Sequence, residues 1–260
     1  MLAAFRAAGW SLISARKEEN GGRAAAMAQA VKLARGRFVM IMDGDDTFEA
    51  GALEHILSAI QALNPKLSHG SRTCVGFVFG TMIDEKNTLR RNSPPNGLIC
   101  SLLSLRADHN VRGDLKEVVA REVITGALCD LFDTYRRVPT SLLWARISEE
   151  FSVLCDSQPV VRKVYLPGGM TKSLMSLRRK NIAPLLELYS TIIASQAYDS
   201  HSYRIRALFN YHRFLVWPHK GQHRIRFDAM GLPAIFGFGF GGYETIKYQI
   251  LRGMRVLWRR

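Results

Sequence analysis

The chain is poor in cysteine: Cys74, Cys100, Cys129 and Cys155 are its four, none closer than 26 positions to the next. That spacing holds no Cys-x-x-Cys pair and no Cys/His cluster. It excludes a zinc site of known spacing and a disulfide framework, and it predicts reduced thiols in a cytoplasmic protein. Long apolar runs are missing too, and none reaches the roughly 20 residues a helix needs to span a bilayer. Met1 to Ser14 lacks the basic head of a secretory leader and reads as helix plus strand. The histidines His69, His201, His212, His219 and His223 fall in no metal-ligand spacing; Pro218 and Gly221 break the one pair that is four apart. Acidic residues are few: 22 Asp/Glu against 36 Lys/Arg leave a formal charge of +14.

What is present is a 47% hydrophobic chain of 260 residues, enough for a substantial core. The basic excess is uneven. Residues 201–260 hold 11 Lys/Arg against Asp228 and Glu244, together with 12 aromatic residues. Such a tract reads as a solvated basic face, or as a surface for nucleic acid, an anionic membrane or a partner protein. No nucleic-acid-binding motif accompanies it, so no specific nucleic-acid partner is expected.

Periodicity predicts a helix over Gly22 to Arg35, stopped by Gly36, and a strand over Phe38 to Met42. A second amphipathic helix runs from Glu49 to Leu63, with Leu53, Ile56, Leu57, Ile60 and Leu63 on one face. Cys74 to Ile83 reads as a strand. Asp84 to Gly113 reads as a polar loop marked by Pro94-Pro95-Asn96-Gly97, able to cover a ligand. Leu115 to Leu131 is expected to be helix, and Pro139 to open another ending near Phe151. Pro159 to Leu166 reads as a strand, and Leu174 to Ala197 as a long helix interrupted at Pro184. Gly231 to Gly242 has no periodicity and takes no assignment. Alternating strand and helix predict an α/β fold with a mostly parallel sheet flanked by helices. The expected division is residues 1–170 and a helical, basic extension over 171–260.

The strand Phe38 to Met42 ends abruptly in Asp43-Gly44-Asp45-Asp46. Three carboxylates within four residues repel unless solvated or neutralised. Asp43 and Asp45 can turn oxygens toward one hard cation, Mn²⁺ or Mg²⁺, whose shell substrate phosphates complete. An ordinary solvated turn, with Asp46 or Thr47 capping the next helix, explains the same residues. Position adds weight to the first reading, because α/β sheets bind ligands at the carboxyl ends of their strands.

From Glu18 to Leu57 the chain resembles the central portion of the family 2 glycosyltransferases. Asn20, Gly22, Ala34-Arg35-Gly36, the apolar strand and Asp43-Gly44-Asp45-Asp46 follow one another at the family's spacing. A weaker resemblance, from Arg136 to Asn181, is to the acceptor half of bacterial polysaccharide-assembling members. The resemblance implies a GT-A-like (Rossmann-like) domain and inverting transfer of a sugar from a nucleotide-diphosphate sugar to a glycan or lipid-linked acceptor. It also implies a place at the inner face of the plasma membrane, where the basic aromatic tract with Trp258 suits an interfacial contact. Full-length members open with strands that bind base and ribose. Met1 falls in the helix that follows the first of them, so those elements are expected to be missing.

The same resemblance distributes roles. Asp45 first and Asp43 next would meet the metal, and the first acid of the motif often contacts donor ribose or sugar. Asp46 has two readings, metal ligand or helix cap. Asn20 and Gly22 precede a helix N-terminus, where free N–H groups receive an anion, and Arg23 adds charge toward the diphosphate. The base that deprotonates the acceptor falls by position to Glu150, with Glu149 beside it; Asp130 and Asp133 are its rivals, and both glutamates also read as solvated acids at a helix end.

Overall fold

Phe77, Val78 and Phe79 lie on one strand and belong to two different cores. The phenyl rings of Phe77 and Phe79 stack at 5.5 Å on one face of the sheet, with Ile56, Val118 and Val161. Val78 points the other way, toward Leu105, Val119, Ile124 and Leu143. This two-residue alternation within an apolar run is that of a strand covered by helices on both faces.

The computed structural model describes residues 13, 22–64, 66–85, 88–128, 131, 135, 137–164, 178 and 181–216. In order they form α1 (Gly22–Leu33), β1 (Phe38–Met40), β2 (Thr47–Phe48), α2 (Ala52–Ala62), β3 (Ser68–His69), β4 (Arg72–Glu85), β5 (Thr88–Asn92), β6 (Ile99–Cys100), α3 (Leu102–Ala107), β7 (Lys116–Ala120), α4 (Arg121–Leu128), α5 (Thr140–Glu150), β8 (Phe151–Val164), α6 (Ile182–Ala194) and α7 (His201–Leu215). The sheet path is β1-β7-β4-β8-β2, with β3 and β5 hydrogen-bonded to β4 and β6 to β8. The expected helix Gly22 to Arg35, the strand from Phe38, the helix inside Glu49 to Leu63 and the helix after Pro139 are all present. Asn20, Cys129, Asp130, Asp133, most of 165–180 and the basic tract 217–260 lie outside the described residues.

Three expectations are corrected. Among the described strands only β4 and β8 run parallel; β1/β7, β4/β7, β3/β4, β4/β5, β6/β8 and β2/β8 are antiparallel. Short returns make hairpins of β3/β4 and β4/β5, the other four antiparallel pairs join strands distant in sequence, and the layered α/β architecture is unchanged. The segment Leu115 to Leu131 starts as strand β7, because Val118 and Val119 are β-branched and pair with β1 on one side and β4 on the other. Asp84 to Gly113 is no covering loop: β5 completes a hairpin with β4, and Cys100, Leu102, Leu103 and Leu105 are buried.

Close packing decides one glycine. A Cβ on Gly76 would lie 2.1 Å from the carbonyl oxygen of Val118, so β4 and β7 approach at this point only because the side chain is absent. α6 and α7 pack on α5: Leu142 and Ala145 share a cluster with Leu188, Ile192, Tyr198 and Ala207. Pro184 lies in the first turn of α6, where it interrupts no helical hydrogen bond.

Candidate active site

The acidic turn leaves the carboxyl end of β1 and closes with a hydrogen bond from the Asp46 amide to the Asp43 carbonyl, 3.1 Å. Its three carboxylates meet three different fates. Asp46 points inward, its side chain 5% exposed, and accepts from the Lys116 Nζ at 3.1 Å. Lys116 also donates to the Ile41 carbonyl at 3.2 Å, and the Lys163 Nζ approaches Asp46 at 3.7 Å. Asp43 accepts from Arg23 Nη2 at 2.9 Å, while Nη1 of the same guanidinium donates to Thr140 Oγ1 at 3.3 Å. Asp45 is exposed and makes no side-chain hydrogen bond or ion pair with a described residue.

Arg23 therefore ties α1 to the acidic turn and to the first residue of α5, across a cleft of about 440 Å³. Arg106, Asp114, Lys116, Glu117 and Lys163 line the same cleft. β7 supplies Lys116 and Glu117 on opposite faces of one strand, and β8 supplies Lys163 near its end. Burial works against the Lys163 ammonium, but Asp114, 3.3 Å away, and Asp46 outweigh it and hold its pKa above the ordinary lysine value. Burial pushes the Glu117 carboxyl up, and the nearby Arg106 offsets part of that. The Glu117 carboxylate is met by its own backbone amide and by the charges of Arg106 and Lys116, and the residue lines the cleft.

Glu149 and Glu150 are exposed at the far end of α5. The cleft touches only Thr140, Ser141, Trp144 and Ala145 of that helix, and nine residues at 1.5 Å each put Glu149 about 13 Å from Thr140. Arg72 donates to the carbonyls of Ser148 and Glu149 at 3.1 and 3.3 Å, holding that end of the helix away from the cleft. Asp114, Glu117, Lys116, Lys163 and Arg106 were missed as site residues. One local signal could have found two of them: Lys116-Glu117 is a charged pair inside the apolar run from Leu115 to Val119, where a buried strand tolerates charge only with a partner.

Of Asp43, Asp45 and Asp46, two are engaged by side-chain cations: Asp43 by Arg23 and Asp46 by Lys116. Among the described residues no group of three His, Cys, Asp or Glu could hold a metal by itself. The donor set fits another mode, in which one carboxylate and the ligand's phosphate oxygens share a hard cation. Asp45 is the residue that would hold it.

An acidic turn at a strand's carboxyl end, opening on a cationic cleft in a helix-covered sheet, fits the class of GT-A-like domains. Residues 1–111 match the family model Glycosyl transferase family 2. The match supports glycosyl transfer as the general activity, with a nucleotide-sugar donor and an acceptor as substrates. No curated protein matches the chain. No helix among the described residues is long and apolar enough to cross a membrane.

Proposed function

We propose that the cleft at the acidic turn is the donor side of an inverting, cation-assisted glycosyltransferase whose acceptor is a glycan or lipid-linked molecule of surface polysaccharide assembly. One observation carries this reading: the acidic turn, with Asp45 exposed, sends Asp43 into a cleft whose cations, Arg23, Arg106, Lys116 and Lys163, suit a diphosphate. A divalent cation on Asp45 would neutralise the leaving nucleoside diphosphate. Arg23 orients Asp43 and adds positive charge beside the phosphates. Lys116 and Lys163 hold Asp46 inward, so the turn keeps its shape when a ligand is absent.

Glu117 is the base this reading favours over Glu149 and Glu150. Its raised pKa and its place on the cleft wall suit a group that takes the proton of an acceptor hydroxyl as the oxygen attacks the anomeric carbon. Direct attack opposite the departing diphosphate inverts the configuration at that carbon. The test is release of nucleoside diphosphate from a panel of nucleotide sugars, with Mn²⁺ and then with EDTA. Cation-dependent release from one donor is the expected result.

One observation favours a second reading, a catalytically inactive relative that binds a membrane or partner. Asp43 and Asp46 are already neutralised by side chains without a ligand. Absence of both release and nucleotide binding, from folded protein, would decide for it.

A further inference from the structure

Charge accounts for only part of the cleft wall. Lys116 and Lys163 gather by the acidic turn, and a diphosphate needs no more than such a charged stretch. The remaining wall comes from the helices: Leu103 of α3, Trp144 of α5, Leu188 and Ile192 of α6, and Tyr203 of α7. A phosphate gains nothing from aliphatic and aromatic surface. The C–H face of a sugar ring packs on it, and the ring hydroxyls then look for a few placed polar groups.

Tyr203 is held firmly at this wall. Asp108 accepts from the amides of Asp199 at 3.1 Å and Ser200 at 2.7 Å, and the Ser200 Oγ accepts from the Tyr203 amide at 3.3 Å, which fixes the first turn of α7. The Tyr198 ring stands edge-on to the Tyr203 ring at 5.4 Å, and the Arg206 guanidinium lies 5.5 Å from its centre. A phenylalanine would satisfy every one of these contacts. The Tyr203 hydroxyl makes no hydrogen bond with a described residue. Burial raises its pKa, so it stays protonated and keeps an O–H to donate. Arg106 is near enough for its charge to act on both Tyr203 and Glu117, which puts the two on one stretch of the wall. Trp144, half-buried on the same wall, likewise makes no indole hydrogen bond with a described residue.

We propose that Tyr203 determines which sugar the donor carries: the sugar ring packs against Trp144, and the Tyr203 hydroxyl donates to one of the ring hydroxyls. The inference rests on the reading of this cleft as the donor side of a glycosyltransferase. It gives α7, which follows the family-matching stretch, a part in substrate choice.

UDP-glucose, UDP-galactose and GDP-mannose serve as probes, with UDP and GDP as their bare counterparts. Each is titrated with Mn²⁺ by calorimetry into the full chain as wild type, Tyr203→Phe and Trp144→Leu, with folding checked by circular dichroism. In the wild type one nucleotide sugar is expected to bind more tightly than its bare nucleotide and than the other sugars. Tyr203→Phe should shrink both advantages about two- to tenfold, the weight of one hydrogen bond between neutral groups. Trp144→Leu should shrink the advantage over the bare nucleotide by a similar factor. Full retention of these advantages by either folded variant overturns the proposal and leaves the donor reading standing. A wild type that binds UDP or GDP but no nucleotide sugar more tightly does the same. Binding of neither nucleotide nor nucleotide sugar by folded wild type removes the donor reading, and the inference with it.

Discussion

Asp45 and Asp46 are neighbours with opposite expected behaviour. Asp46 and Lys116 are each about 5% exposed and pair at 3.1 Å, so Asp46→Ala leaves a buried ammonium without its partner. Breaking such a pair costs about 3–5 kcal/mol, which a denaturant titration would read directly. Asp45→Ala removes an exposed carboxylate with no described contact and is expected to leave the unfolding midpoint unchanged. Equal destabilisation by the two would mean that the turn is not held through Asp46.

Glu117 separates catalysis from packing at the same scale. Glu117→Gln is expected to lower turnover about 10²- to 10⁴-fold, whereas Glu149→Gln and Glu150→Gln leave it near wild type. The acid limb of the pH–rate profile should fall above the ordinary glutamate range, because burial raises this carboxyl, and it should vanish in the Gln variant. The stability sign follows. A raised folded pKa favours folding below the unfolded glutamate value, and that contribution is lost as pH rises through the folded value. Glu117→Gln should therefore gain stability relative to wild type as pH increases; a constant difference would contradict the burial of this group.

At the scale of elements, β4 and β7 meet at Gly76. Gly76→Ala must push the two backbones apart and is expected to cost about 1–3 kcal/mol or more in chemical denaturation. The same region shows what the sequence could and could not reveal. β1 and the turn after it were legible, because an apolar run ending in carboxylates is a local pattern. β7 was not: Leu115 to Leu131 contains enough helix formers to hide a five-residue strand whose identity depends on pairing with both β1 and β4. The partners of Asp46 were hidden for a related reason. Lys116 is 70 positions away in the chain, and only the sheet brings the two together. The leucines of α3 were misread because the prolines and glycine before them signal a loop, which holds for 93–98 and not for the helix that follows.

For the molecule as a whole, the shared cluster of α5, α6 and α7 predicts cooperative unfolding of the sheet and the helices beyond residue 181. Circular dichroism and calorimetry should report one transition; two would show that α6 and α7 melt as a separate unit. The cleft depends on this packing, since Leu188 and Ile192 of α6 line it.

The central claim is a diphosphate site organised around Asp45. Calorimetric titration of UDP and of GDP into the wild type and into Asp45→Ala, with Mn²⁺ and again with EDTA, tests it most directly. The account predicts binding of one nucleotide to the wild type with Mn²⁺ and its loss both on chelation and in the folded variant. Binding that survives in Asp45→Ala, or no binding of either nucleotide to folded wild type, would contradict it.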